Sequence, residues 1–196
     1  MKRVDISAGA ILLLSVIYFF GGMTSLAALL LAVIVHELGH IAAIALYGGR
    51  VHGLKVSISG LCIICSGAGG TIESVICLCA GPAAGFALAY AASYFGNLSQ
   101  NLLLIKTAGF SLVLSVYNSL PALPLDGGRA LESIARCFGG TVFAQTLLEF
   151  TGMLTGTALL FAGAFFIRRQ FGAALLIAGA WVLTAQTGIV KSGSML

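Results

Sequence analysis

The chain has 196 residues, of which 59% are hydrophobic and only 8% charged, with a formal net charge of +4. A soluble domain averages roughly 25% charged residues, so this composition excludes a soluble enzyme and points to a multi-pass membrane protein. The small positive excess suits basic loops facing an anionic inner leaflet, and no basic patch of the kind that binds nucleic acid stands out.

At about 20 apolar residues per membrane helix, six spans are expected. The first lies near Val4–Phe20. Met1-Lys2-Arg3 before it resembles the start of a signal peptide, but no convincing small-residue cleavage site lies near Gly21-Gly22 and further spans follow. A retained helix is therefore expected. The second span runs from Leu26 to Tyr47. The period then changes: Leu54, Val56 and Ile58 alternate with Lys55, Ser57 and Ser59, and Gly60 precedes Leu61-Cys62-Ile63-Ile64. Such a pattern reads as a β-hairpin over Leu54–Ile64. Bare in lipid its main chain would be unsatisfied, so it belongs at the surface or against protein. An exposed edge there would pair with an extended peptide; a plain connector is the other reading.

The third span covers Ser74–Phe95, the fourth Leu102–Leu120, the fifth Gln145–Ile167 and the sixth Phe171–Val190. Pro82 should kink or locally unwind the third. Gly81–Gly85 and Gly152–Gly156 have the four-residue spacing that lets membrane helices approach closely. The expected fold class is an all-α membrane protein of about six transmembrane helices, with a short membrane-associated β-hairpin between the second and third. Residues 1–196 form a single domain, with no internal repeat or linker.

Basic residues set the expected orientation. With a cytosolic N-terminus, Lys2, Arg3, Arg50, Lys55, Arg129, Arg136 and Lys191 face inward, against Arg168, Arg169 and Lys106 outward. Seven against three fits the positive-inside rule. The chain is thus expected in the cell membrane, with its active face reached from the cytosol.

Chemistry concentrates in the second span, at His36-Glu37-Leu38-Gly39-His40. On a helix the two histidines share one face, about 6 Å apart along the axis. Two imidazoles so placed can hold one zinc ion, and the intervening glutamate can act as general base. At this position His40 lies about 10 Å below the cytosolic end of the helix. An ionisable set at that depth has to line a protein-walled cavity.

A catalytic zinc site needs a third ligand. The acidic residues are Asp5, Glu37, Glu73, Asp126, Glu132 and Glu149. Asp126 stands out, in Asn118-Ser119-Leu120-Pro121-Ala122-Leu123-Pro124-Leu125-Asp126-Gly127-Gly128 at the cytosolic end of the fourth span. Its prolines break a helix and its glycines permit tight backbone turns. Taken alone, Asp126 reads as the cap of a helix beginning near Arg129. Beside the histidines it reads as the third zinc ligand.

Together, His36–His40 and Asn118–Gly128 resemble the site-2 protease family of intramembrane zinc metalloproteases. Pro124-Leu125-Asp126-Gly127-Gly128-Arg129 and the six-span plan look closest to its bacterial sporulation-type branch. The resemblance covers roughly Leu26 to Arg136. It implies one zinc ion held by His36, His40 and Asp126, with Glu37 as the catalytic base. Asn118 is a second donor to the developing oxyanion or else a tie between broken helices. The expected activity is hydrolysis of a peptide bond in or near a transmembrane segment, in regulated intramembrane proteolysis of a sigma-factor precursor or anti-sigma factor. Expected partners are the bilayer, a membrane-protein substrate and a regulatory membrane protein, without nucleic acid. Gly81-Pro82 also resembles a family feature, but Gly85 replaces the asparagine often found there. The PDZ insertion and the regulatory domain of some members have no counterpart in these residues.

Other readings compete. A divalent-metal transporter or channel would use His36, His40 and Asp126 as an ion path, but no symmetrical pair of broken segments marks inverted repeats. An inactive scaffold would have lost a catalytic residue, and none is missing. Cys62, Cys65, Cys77 and Cys79 read C-x-x-C then C-x-C; without a strand–helix redox context, small apolar packing residues are the better description. His52 is expected at the surface. Lys106 and Glu149 lie close enough to span ends to reach polar surroundings.

Overall fold

A computed structural model describes residues 4–6, 8–48, 50–57, 60–66, 70–168 and 172–193. The chain divides after Asn118 into two compact units, Met1–Asn118 and Ser119–Leu196.

The first unit contains strand β1 (Val4–Ile6), helix α1 (Ala8–Leu46), strands β2 (Arg50–Ser57) and β3 (Gly60–Ser66), and helices α2 (Thr71–Ser99) and α3 (Leu102–Asn118). The strands are ordered β1-β2-β3. Val4, Asp5 and Ile6 pair in parallel with Leu54, Lys55 and Val56. β2 and β3 pair antiparallel from Arg50↔Ser66 to Ser57↔Gly60, with an irregularity between Val51 and Gly53. Of the expected hairpin Leu54–Ile64, residues 54–57 lie in β2 and 60–64 in β3, while Ile58 and Ser59 lie outside the described residues. Val4–Ile6, expected at the head of the first span, is instead a strand beside β2.

The six-span expectation is corrected. Among the described residues there are five helices, of which three are long and apolar enough to cross a membrane: Leu14–Leu46, Thr71–Ser99 and Asp126–Phe165. Most of the first two expected spans, residues 8–20 and 26–46, lies in α1, whose two helical stretches join across a kink at Gly22 (φ 71°, ψ −178°). A side chain rarely adopts that positive φ; glycine does so freely. The 17 residues of α3 measure about 25 Å along the axis, short of the roughly 30 Å hydrocarbon layer. α2 is helical from Thr71 to Ser99 with Pro82 inside it, so the expected unwinding does not occur.

Packing in the first unit places small groups inside and large apolar groups outside. Ser25, Ala28, Ala32, His36, His40 and Ala43 make the buried stripe of α1, while Phe19, Phe20, Met23, Ile34 and Leu38 are exposed. Their spacing of three or four residues is one helical face. In lipid, exposed apolar side chains carry no penalty, and association relies on close backbone approach between small residues. A Cβ on Gly39 would stand 2.5 Å from the Ala80 carbonyl oxygen and 2.7 Å from Ala84 Cβ, which marks where α1 meets α2. Between α2 and α3, Ser111 Oγ donates to the Gly85 carbonyl at 2.8 Å. A Cβ on Gly85 would run into Ser115 Oγ, so α3 fills the space beside it. Lys106 reaches from α3 to Ser25 on α1, Nζ to Oγ 2.8 Å.

The second unit holds the segment Ser119–Leu125 and helices α4 (Asp126–Phe165) and α5 (Gly172–Gly193). The expected fifth span began at Gln145, whereas α4 begins nineteen residues earlier, at Asp126, and contains a non-helical Gly140 (φ 74°, ψ −172°). Gly152, Gly156 and Gly163 are buried on α4. A Cβ on Gly156 would press on Leu183, and one on Gly163 would press on Leu176. Val182 is fully buried on α5.

Candidate metal centre

His36 and His40 project from the buried stripe of α1, 2% and 8% exposed. Their ring centroids are 5.0 Å apart with planes at 80°. Their ligand nitrogens lie within 4.8 Å of each other. Two zinc–nitrogen bonds of about 2.0–2.1 Å span at most roughly 4.2 Å, so small rotations of the two rings bring them onto one ion.

The second helix determines how His40 presents itself. Nδ1 of His40 lies 2.7 Å from the carbonyl oxygen of Cys77. A carbonyl only accepts, so Nδ1 carries the proton and donates, and Nε2 keeps its lone pair. That is the tautomer a metal needs, and a main-chain carbonyl behind a ligating imidazole both orients the ring and raises its basicity. One turn further along α2, a Cβ on Gly81 would stand 2.5 Å from Cε1 and 2.6 Å from Cδ2 of the same ring. Gly81 is glycine because the imidazole occupies the space a side chain would take. The donor set therefore fits zinc: two buried imidazoles one helical turn apart, one with its tautomer fixed.

Glu37 is half-buried beside His36. Asn118 is the last residue of α3 and is half-buried. In the second unit, Asp126 is the first residue of α4, and the cap position belongs to Leu125. The reading of Asp126 as cap of a helix near Arg129 fails, because the helix already includes it.

The segment before Asp126 is folded tightly by its own main chain. Ala122 N donates to Leu120 O at 2.8 Å, Leu125 N to Ala122 O at 3.0 Å and Arg129 N to Leu125 O at 3.0 Å. A Cβ on Gly127 would meet the carbonyls of Ser119 and Leu120, and one on Gly128 the carbonyl of Ala122. Both glycines are thus required by close backbone approach, a stronger reason than turn flexibility.

The other acidic side chains have different places. Glu73 accepts from Gly70 N at 3.0 Å at the start of α2. Glu132 pairs with Arg136 at 2.5 Å. Glu149 is exposed on α4. The side chains of Asp5, His52, Cys62 and Cys65 lie outside the described residues. Cys77 is buried and Cys79 exposed, as two positions on one helix turn them about 200° apart, so their thiols do not form a shared site. What the sequence reading missed is the Cys77 carbonyl: a main-chain acceptor leaves no mark in residue identity.

No family sequence model matches this chain. No curated protein matches it by sequence. Among solved structures, it is similar to the site-2 protease from Methanocaldococcus jannaschii, with 19% identity, a TM-score of 0.66, and coverage of 90% of this chain and 85% of that one. At that identity the likeness establishes a shared fold.

Proposed function

We propose that this chain is an intramembrane zinc metalloendopeptidase that hydrolyses a peptide bond in or near a transmembrane segment. The observation that carries the reading is the buried His36–His40 pair on an apolar helix, with His40 held through Nδ1 by the Cys77 carbonyl. The fold shared with a site-2 protease supports it.

In this reading His36, His40 and Asp126 hold the ion. Asp126 is favoured because Glu73, Glu132 and Glu149 are engaged or exposed elsewhere. An ion held there would supply Lewis acidity, the chemistry that lowers the pKa of water towards neutrality. Glu37 takes the proton from the attacking water and later delivers it to the leaving amine. The Asn118 amide donates to the developing oxyanion. A helical substrate has to be locally unwound first, and the β2–β3 ribbon receives the extended strand through main-chain bonds.

The Pro124–Arg129 run supports a sporulation-type substrate, a membrane-associated sigma-factor precursor or an anti-sigma factor, with a regulatory membrane protein controlling access. The protein resides in the cell membrane, N-terminus in the cytosol, its active site reached from that side. Co-expression with single-span candidate substrates tests the activity. A cleavage product that disappears with Glu37→Gln is expected; a product that persists would overturn the assignment.

A further inference from the structure

We infer that Gln186 is a positioning residue for the Asp126 carboxylate: from α5 its side-chain amide holds the segment that leads into Asp126. This rests on the reading of Asp126 as a zinc ligand.

Gln186 is 3% exposed on an apolar helix. A buried amide in such surroundings is costly unless it is hydrogen-bonded. Its Nε2 donates to the carbonyl oxygen of Leu123 at 3.1 Å, across 63 positions of sequence. Because a carbonyl only accepts, the NH2 end of the amide must be the one facing it.

That carbonyl is well chosen. In the segment Ser119–Leu125 the carbonyls of Leu120, Ala122 and Leu125 accept from main-chain N–H groups of the same segment and the first turn of α4. Gly127 and Gly128 lie directly on the carbonyls of Ser119, Leu120 and Ala122. Segment and first turn therefore move as one piece, and Asp126 moves with them. Gln186 ties this piece to α5 through Leu123, three residues before Asp126. The same side chain lies on Gly152 of α4, where a Cβ would come within 2.5 Å of Gln186 Cδ. One side chain thus joins α5, the middle of α4 and the segment at its start. Elsewhere α4 and α5 pack without it, through Gly156 on Leu183 and Gly163 on Leu176. The amide is an addition to the helix pair, placed where the segment needs an anchor.

The test is zinc affinity of the full chain in detergent, measured by competition with a chromophoric chelator, with cobalt(II) absorption reporting the ligand set. Gln186→Met keeps the length and removes the donor; a loss of about 10–100-fold in affinity is expected, as for other groups that orient ligands. Gln186→Glu keeps the length and, as the neutral acid, an O–H donor, and should retain more affinity than Gln186→Met. If Gln186 acts through the carboxylate, Gln186→Met costs nothing further in an Asp126→Ala background. Wild-type affinity in Gln186→Met, or full additivity of the two losses, overturns the inference. Should Gln186→Met not yield folded protein, Gln186→Asn, one methylene too short to reach, decides the same question by the same criterion. Unchanged affinity in Asp126→Ala alone would instead remove Asp126 from the ligand set, a failure of the underlying reading.

Discussion

Cys77 and His40 are joined by a 2.7 Å hydrogen bond from an imidazole nitrogen to a main-chain carbonyl, and the bond links the histidine motif on α1 to α2. One turn beyond that carbonyl, Gly81 closes on the other side of the ring. Gly81→Ala forces the imidazole to move, so zinc affinity should fall about 10–100-fold. Gly85→Ala meets a rotatable Ser115 hydroxyl and should leave affinity nearly unchanged. Chelator competition on both variants compares them directly.

Glu37→Gln retains a side chain of the same size but cannot accept a proton. Cleavage should drop about 10²–10⁴-fold while zinc content stays at the wild-type level. Metal analysis of the purified variant, run beside the cleavage assay, separates this outcome from loss of the ion. A divalent-metal transporter would keep its flux or lose its metal.

Removal of the ion should abolish activity reversibly. Treatment with 1,10-phenanthroline in detergent, followed by stoichiometric zinc, is expected to return cleavage, whereas magnesium should not, because imidazole ligands suit zinc and oxygen-only sites suit magnesium. Recovery with magnesium alone would contradict a histidine-held ion.

Gly39 lies at the crossing of α1 and α2, against a carbonyl that cannot swing aside. Gly39→Ala should destabilise the unit by about 1–3 kcal/mol, the usual cost of overpacking a filled interface. Detergent-solubilised protein should show a lower thermal midpoint, and zinc should recover only part of the difference.

Burial distinguishes the thiols. Cys77 is buried while Cys79 and Cys137 are exposed. A small, membrane-permeant maleimide should modify Cys77, read by peptide mass, only after denaturation of the detergent-solubilised protein. Rapid labelling of Cys77 in the folded state would mean that α1 and α2 separate beside His40.

Much of the candidate site was legible in the residues. The four-residue spacing of His36 and His40 depends only on helical geometry, and the structure buries both on one face of α1. Asp126 was legible as a chemical group at the start of a helix, which the sequence placed near Arg129 and the structure starts at Asp126 itself, with Leu125 at the cap position. The span count differs from the three helices long and apolar enough to cross a membrane among the described residues, although Gly22, with its positive φ, does divide α1 where the apolar pattern shows two runs. β1 escaped notice because three residues are too few to show a period, and their pairing with β2 is made across some fifty positions.

The residues by themselves determined which groups the chain can offer a metal and its membrane-protein character. Two imidazoles one helical turn apart, a carboxylate followed by two glycines, and long runs free of charge are local properties, set by side-chain identity and by 3.6 residues per turn. Only the tertiary structure decided which nitrogen of His40 is protonated, which glycines are glycine because a ring or a carbonyl fills their space, and which amide anchors the segment before Asp126. Those features arise where distant parts of the chain touch, through main-chain oxygens and missing Cβ atoms that every sequence contains and none distinguishes.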